Sequence, residues 1–338
     1  MRQLLAPPSD TPVHRGSVPT FSVVIPAYQA SAFVGEAVAS ALAQTLPPHE
    51  VVVCDDGSTD DLAGAVAPYA ERITLLRRPH RGPAAARNAA IEAASGEFVV
   101  MLDADDLCEP SRLEALGELA ATRPDLDILA TDLWLEDAGA PVGRFYDTVE
   151  FPLVDQRLAI LEACFVSCPG LRRARVLEEG GFDESLAVAE DWDLVMRMIL
   201  GGSQAGLVAE PLARYRRHLS STTANRARSL WARVRVLEKG QGDRTLTDVE
   251  RAFLTRCLAR ARTRARLHDA KTLATGGGTG IRQSLWKVAL ADEAPAATRL
   301  VAAAAALAPR PGATLLAWEE RRVARTRPRR PGRRRRPE

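Results

Sequence analysis

Four short apolar runs, each followed by a helical pattern, limit what this chain can fold into more than any other feature. They are Phe21–Pro26 (FSVVIP), Glu50–Cys54 (EVVVC), Ile73–Leu76 and Glu97–Leu102 (EFVVML). Such β-rich runs, bounded by turn residues, read as strands buried on both faces. Between them, Ser31 is placed to cap a helix through about Thr45, with Val34, Val38 and Leu42 on one stripe. Pro47 and Pro48 end that helix. Ser58 or Thr59 caps a second helix through about Tyr69, and Gly82-Pro83 opens an Ala-rich third. Alternation at these lengths predicts an α/β fold with a mostly parallel sheet covered by helices on both faces.

Beyond residue 110 the pattern loosens. Arg112–Thr122 reads as a helix, Asp127–Leu135 as a strand, and Ala187–Leu200 as a helix entered through Glu190-Asp191-Trp192. Leu230 to Leu273 reads as one continuous Arg- and Leu-rich helical stretch, broken by Gly276-Gly277-Gly278, with a weaker helical pattern over 281–308. The division this predicts is a flexible leader at 1–20, a catalytic α/β domain at 21–221, a helical region at 222–320 and a disordered Arg/Pro-rich tail at 321–338.

Charge supports the division. The net charge is only +2, yet residues 321–338 hold ten Arg and one Glu, so the other 320 residues carry −7. The five cysteines are odd in number and include no C-x-x-C pair, which argues against zinc and a disulfide framework and for reduced thiols in a cytoplasmic protein. The first 20 residues lack the apolar run of a signal peptide. The best membrane candidate, Leu300 to Ala308, is nine residues long where a span needs about 20. The expectation is a soluble chain, or one peripheral at the inner face of a membrane.

In open α/β sheets, ligands bind at the carboxyl ends of the parallel strands. Asp55 and Asp56 follow the second run, Asp103, Asp105 and Asp106 the fourth, and Tyr28 the first. Asp is common in turns, but five carboxylates on one edge repel each other unless a cation sits among them. Asp103-Ala104-Asp105 suits a hard ion, Mg²⁺ or Mn²⁺, that accepts diphosphate oxygens as its remaining ligands. The bare D-x-D pattern is weak, since Asp125-Leu126-Asp127 and Asp191-Trp192-Asp193 share it. Asp56 is a candidate to accept the imide N–H of a uracil or thymine. Tyr28 either stacks on that base or is a rim aromatic. Arg87 either neutralises donor phosphates or pairs with the acidic edge. Glu190-Asp191 is either an acidic helix N-terminus or brings a general base, Asp191. His218 is either structural or a phosphate or metal contact.

Taken in order, these segments resemble a family 2 glycosyltransferase with the GT-A fold, a Rossmann-like sheet flanked by helices, here with a helical C-terminal extension. The resemblance covers Ser22 to Ser221 and rests on SVVIPAY at 22–28, VCDDGSTD at 53–60, RGPAAARN at 81–88, GEFVVMLDADD at 96–106, GFDE at 181–184, AEDW at 189–192 and YRRH at 215–218. Cys54 stands where the family usually has an aliphatic residue, and 136–170 matches no motif. The resemblance implies that Pro26, Ala27, Tyr28 and Asp56 hold the nucleoside. It implies that Asp103 and Asp105 form the D-x-D pair, with Asp105 the direct metal ligand, and that Asp191 is the base. The implied reaction is an inverting transfer from a nucleotide diphosphate sugar, UDP or dTDP favoured, to an acceptor hydroxyl. Such transfers build polysaccharide, glycolipid or glycoconjugate, cell-envelope polysaccharide among them. The alternatives are a degenerate nucleotide-sugar-binding module and a metal-dependent nucleotidyltransferase. The second would carry a Gly-rich, basic phosphate loop where this chain has Pro26-Ala27-Tyr28-Gln29-Ala30. The tail can bind anionic lipid, bind nucleic acid non-specifically or have no partner; no aromatics interleave with its Arg.

Overall fold

The computed structural model describes residues 18–218, 225–275, 281–291, 294–307 and 316–323. The chain forms two units, Met1–Ser221 and Thr222–Glu338. Most of the expected leader, the triple-glycine run and the tail from residue 324 lie outside the described residues.

In the first unit, β1 (Phe21–Ala27), α1 (Val34–Leu42), β2 (Glu50–Asp55), α2 (Leu62–Val66), β3 (Thr74–Arg77), α3 (Pro83–Ala93) and β4 (Phe98–Met101) alternate as the apolar runs predict. These four strands are parallel and stand in the order β3-β2-β1-β4. The register opposes Ala27 to Asp55 and Asp55 to Arg77, so the loops after the strands open on one edge.

The sheet then changes character. After β5 (Leu107–Cys108), α4 (Arg112–Thr122), β6 (Ile128–Asp137), β7 (Ala140–Arg144), α5 (Gln156–Glu162), β8 (Gly170–Arg172), α6 (Arg173–Glu178), α7 (Glu190–Leu200) and β9 (Ala205–Arg217), the order continues β4-β8-β6-β9-β5. β8 runs antiparallel to β4 and β6, and β5 antiparallel to β9, while β6 and β9 are parallel. The second half is therefore mixed. Strands of two or three residues such as β5 and β8 have no periodicity to read. Val23, Ile25, Val51, Val53, Phe98 and Val100 form the core with Val34, Val38, Leu113 and Leu116 from α1 and α4.

Local details depart from the expected caps. Ser31 caps nothing: its N–H donates to Asp60 Oδ2 at 2.8 Å, and α1 starts three residues later. The second helix is capped by Asp61, which accepts from Gly64 N at 3.0 Å, and α2 proper ends at Val66. Ser58 and Thr59 are used elsewhere, as acceptors from Gln29 N at 3.0 Å and Gln29 Nε2 at 2.8 Å.

In the second unit, the stretch expected as one helix is two, α8 (Arg226–Gly240) and α9 (Asp248–Thr275). The break is a capping box: Thr247 N donates to Glu250 Oε2 at 2.8 Å and Glu250 N to Thr247 Oγ1 at 3.2 Å. α10 (Ile281–Ala289) and α11 (Ala296–Leu307) follow. Leu267, Leu285, Val288, Ala302, Ala305, Leu316 and Val323 make this unit's core. Residues 316–323 are helical, so Arg321 and Arg322, which composition assigned to the basic tail, stand in a helix, and Arg322 Nε donates to Glu319 at 2.7 Å.

Candidate active site

Hydrogen bonds join the loops after β1 and β2 to each other. Gln29, in left-handed conformation at φ 51°, accepts from Thr59 N at 3.0 Å and Asp60 N at 3.1 Å. Asp56 N donates to Ala27 O at 2.9 Å, which ties the end of β1 to the end of β2. Pro26 and Ala27 close β1 beneath Tyr28, which is 45% exposed and stacks on His80 with ring centroids 4.0 Å apart. His80 carries no sequence motif and was not among the expected site residues. Only the fold brings it beneath Tyr28.

The five carboxylates of this edge divide into two kinds. Asp55, Asp56 and Asp106 are 3%, 1% and 2% exposed and serve the backbone. Asp55 accepts from Ser58 N at 2.8 Å. The Asp56 carboxylate accepts from Arg81 N at 3.1 Å and Gly82 N at 2.6 Å, tying the start of α3 to the end of β2, and His80 Nδ1 lies 3.1 Å from the Asp56 carbonyl oxygen and 2.8 Å from its Oδ2. Asp106 accepts from Arg216 N at 3.0 Å. Its pKa is pushed well above the usual carboxylate range by burial, then by Asp103 and Asp105. The other two face outward: the Asp103 and Asp105 side chains are 35% and 32% exposed.

Asp105 Oδ2 lies 2.7 Å from Nε2 of His218, whose ring stacks on Phe33 at 5.1 Å. Arg216, two residues earlier, donates to Asp105 O and pairs with Glu36. Among the described residues, no three His, Cys, Asp or Glu side chains are arranged to hold an ion alone. Asp105 and His218 nonetheless fit a hard divalent ion: cis ligands on an ion with bonds of about 2.1 Å stand about 3 Å apart, near the spacing seen. Such an ion keeps positions for waters and phosphate oxygens, so two protein ligands suffice.

Arg87 connects this carboxylate pair to α7. Its Nη2 donates to Asp103 Oδ1 at 2.6 Å and its Nη1 to Glu190 Oε1, and the guanidinium stands 5.6 Å above the Phe182 ring. Burial alone would loosen its proton, but Asp103, Glu190 and Asp191 outweigh it and the pKa rises above the ordinary guanidinium value. Glu190 is buried, whereas the next residue, Asp191, is open to solvent. Ala189 precedes them at φ 64°, a conformation that disfavours a β-carbon and turns the chain sharply into α7. Asp191 accepts from its neighbour's Trp192 N at 2.7 Å. Its carboxyl is pushed up to about 6, by desolvation first and then by Glu190, while Arg87 pulls it down. A solvent-open group that protein crowds this closely lines a cleft.

Asn88, one residue past Arg87, fixes the turn before α7. Its Nδ2 donates to Phe182 O at 2.9 Å and its Oδ1 accepts from Phe182 N at 2.8 Å. Gly181 has φ 73°, and a β-carbon there would meet Asn88 Oδ1 at 2.6 Å. Asn88→Ala strands both Phe182 backbone groups and is expected to cost about 1–3 kcal/mol of stability. A melting temperature equal to wild type in the variant would show that water replaces both bonds.

Residues 22–181 match the model of "Glycosyl transferase family 2". That segment is a family 2 glycosyl transferase domain. The chain is 31% identical over 198 residues to a chondroitin synthase of Pasteurella multocida, covering 57% of this chain and 20% of the relative. It is 35% identical over 207 residues to the succinoglycan biosynthesis protein ExoU of Rhizobium meliloti, covering 55% of this chain and 58% of the relative. The chain thus spans a fifth to a quarter of the synthases it matches, 20% to 26% of their length. Among solved structures, S. aureus TarS 1-349 in complex with UDP-GlcNAc superposes with TM-score 0.62 at 21% identity, covering 90% of this chain and 92% of that one. The mannosyltransferase PcManGT from Pyrobaculum calidifontis, in complex with GDP-Man and Mn²⁺, superposes with TM-score 0.59 at 24% identity, covering 95% and 89%. The family 2 domain has the GT-A fold, and a helical region follows it.

Proposed function

We propose that this chain is an inverting sugar transferase that moves a sugar from a nucleotide diphosphate sugar to an acceptor hydroxyl in polysaccharide or glycoconjugate synthesis. The observation that carries this reading is the Arg87 fork. One guanidinium holds Asp103 and Glu190 together, so the outward Asp103/Asp105 pair and the open Asp191 belong to one cleft. Relatives that make chondroitin and succinoglycan support the polymer context, and the fold neighbours hold UDP-GlcNAc and GDP-Man.

In this reading the Tyr28–His80 stack receives the nucleobase at the rim, over Pro26 and Ala27. Asp56 holds His80 and the start of α3 in place at the nucleoside end of the cleft. Asp103, held by Arg87, faces the ribose and diphosphate, and Asp105 with His218 would hold Mg²⁺ or Mn²⁺. That ion, when bound, supplies positive charge to the departing diphosphate. Asp191 takes the acceptor's proton as the acceptor oxygen bonds to the anomeric carbon and the bond from that carbon to the phosphate oxygen breaks. One displacement inverts the anomeric centre and needs no covalent sugar–enzyme intermediate.

Calorimetric titration of UDP, dTDP and GDP, with and without Mn²⁺, tests the donor site. One nucleotide is expected to bind, and chelation or Asp105→Ala to weaken it by at least about tenfold. Equal affinity in Asp105→Ala removes Asp105 as a metal ligand. No binding by any of the three points to a domain without a working donor site.

A further inference from the structure

We propose that α10 and α11 form a face by which the second unit docks on an anionic lipid bilayer. α11 (AATRLVAAAAAL) is apolar on both sides. Its inner stripe, Ala302, Ala305 and Ala306, is buried in the unit's core. Its outer stripe, Ala296, Ala297, Leu300, Ala304 and Leu307, is exposed, with Leu300 at 72% and Leu307 at 73%. A helix on the surface of a water-soluble unit ordinarily turns charged or polar residues outward. α11 has none on that stripe. On α10, Trp286 and Leu290 stand one turn apart at 42% and 70% exposure, next to the exposed cations Arg282 and Lys287. Trp318 adds a fifth large exposed side chain at 54%.

Charge identifies the occupant. Residues 222–338 hold 27 Lys and Arg against 10 Asp and Glu, a net +17, while residues 1–221 carry −15. An anionic bilayer offers negative headgroups and an apolar layer just beneath them, which answers both features at once. Nucleic acid matches the charge but leaves Leu290, Leu300 and Leu307 in water. A second copy matches the apolar stripe but brings two units of +17 face to face. Tryptophan beside Arg and Lys is the composition of an interfacial contact. α11 has 12 residues and so is about 18 Å long, which lets it lie in the interface but not cross a core of about 30 Å. Among the described residues no helix is long and apolar enough to span a membrane.

The test uses the full chain and phosphatidylcholine vesicles with or without phosphatidylglycerol. Wild type is expected to sediment with the anionic vesicles and to stay in solution with the neutral ones. The double variant L300E/L307E is expected to bind at least about tenfold more weakly at an unchanged melting temperature, since both positions face solvent. Undiminished binding by the variant overturns the proposal, because charge alone then holds the protein. So does retention on DNA without vesicle binding, or a dimer in solution that L300E/L307E dissolves. Quenching of wild-type tryptophan emission by lipids brominated on their acyl chains needs no variant; vesicle binding without quenching also overturns the docking face. None of these readouts depends on the donor site.

Discussion

Asp191→Asn is expected to lower sugar transfer by about two to four orders of magnitude while leaving nucleotide affinity close to wild type. The amide keeps the volume and the acceptor oxygen for Trp192 N, but takes no proton from an attacking hydroxyl. The pH profile carries the same assignment. A carboxyl pushed up to about 6 is protonated below that pH, so wild-type turnover rises as pH increases through about 6 and then levels. The variant loses that rise. Stability runs the other way. The folded carboxyl holds its proton more tightly than the unfolded one, so ionising it costs folding stability, progressively between roughly pH 4 and 6 and in full above. Asp191→Asn removes that cost and is expected to melt at or above wild type at pH 7. Near-wild-type turnover, or a variant that keeps the rise near pH 6, would assign the base elsewhere.

Arg87→Met is expected to lower the stability of the first unit by about 3–5 kcal/mol, the usual cost of removing one partner from a buried ion pair. Glu190 and Asp103 then face each other, and Asp191, without the cation now held among them. For a unit of this size that is a melting temperature lower by roughly 6–20 °C. A second readout separates positioning from simple destabilisation. Arg87 pulls the Asp191 carboxyl down, so its loss moves the pH at which turnover rises upward. Arg87→Lys restores the charge but not the two-pronged reach, and is expected to recover the pH profile better than the melting temperature. A variant that melts within 2 °C of wild type and keeps its profile would show that the fork holds nothing.

How much of this was legible in the chain varies with distance along it. The first four strands and their helices were readable because each is a run of local signals: a buried β-branched run, a turn, an amphipathic stripe. β5 and β8 were not, because two or three residues have no period. The α8–α9 break was readable in principle, since Gly240, Gly242 and the Thr247-x-x-Glu250 box mark it, but a long Arg–Leu stretch looks helical throughout. Asp103, Asp105, Asp191, Tyr28, Arg87 and His218 were all picked from pattern or resemblance. Asp56 stands out as well, for a carboxylate or backbone carbonyl that meets a base; what only the fold adds is that the carboxylate also accepts from Arg81 N and Gly82 N. Nothing adjacent in the chain marks His80 or Phe33, and Glu190 and Arg216, though inside AEDW and YRRH, gain their roles only from remote partners.

By itself the sequence determined the alternation, and with it the edge on which the loops after β1, β2 and β4 open. Parallel strands joined by helices all end on the same side, so that edge follows from element order alone. Only the tertiary structure decided which of five carboxylates face water. Burial is set by what other elements lay over a side chain, and the partners here are remote: Arg87 and Glu190 are 103 positions apart, Asp105 and His218 113. A local pattern places an acidic residue at an edge. Whether that residue holds a backbone turn or stands free to meet a ligand depends on packing that no short stretch of the chain contains.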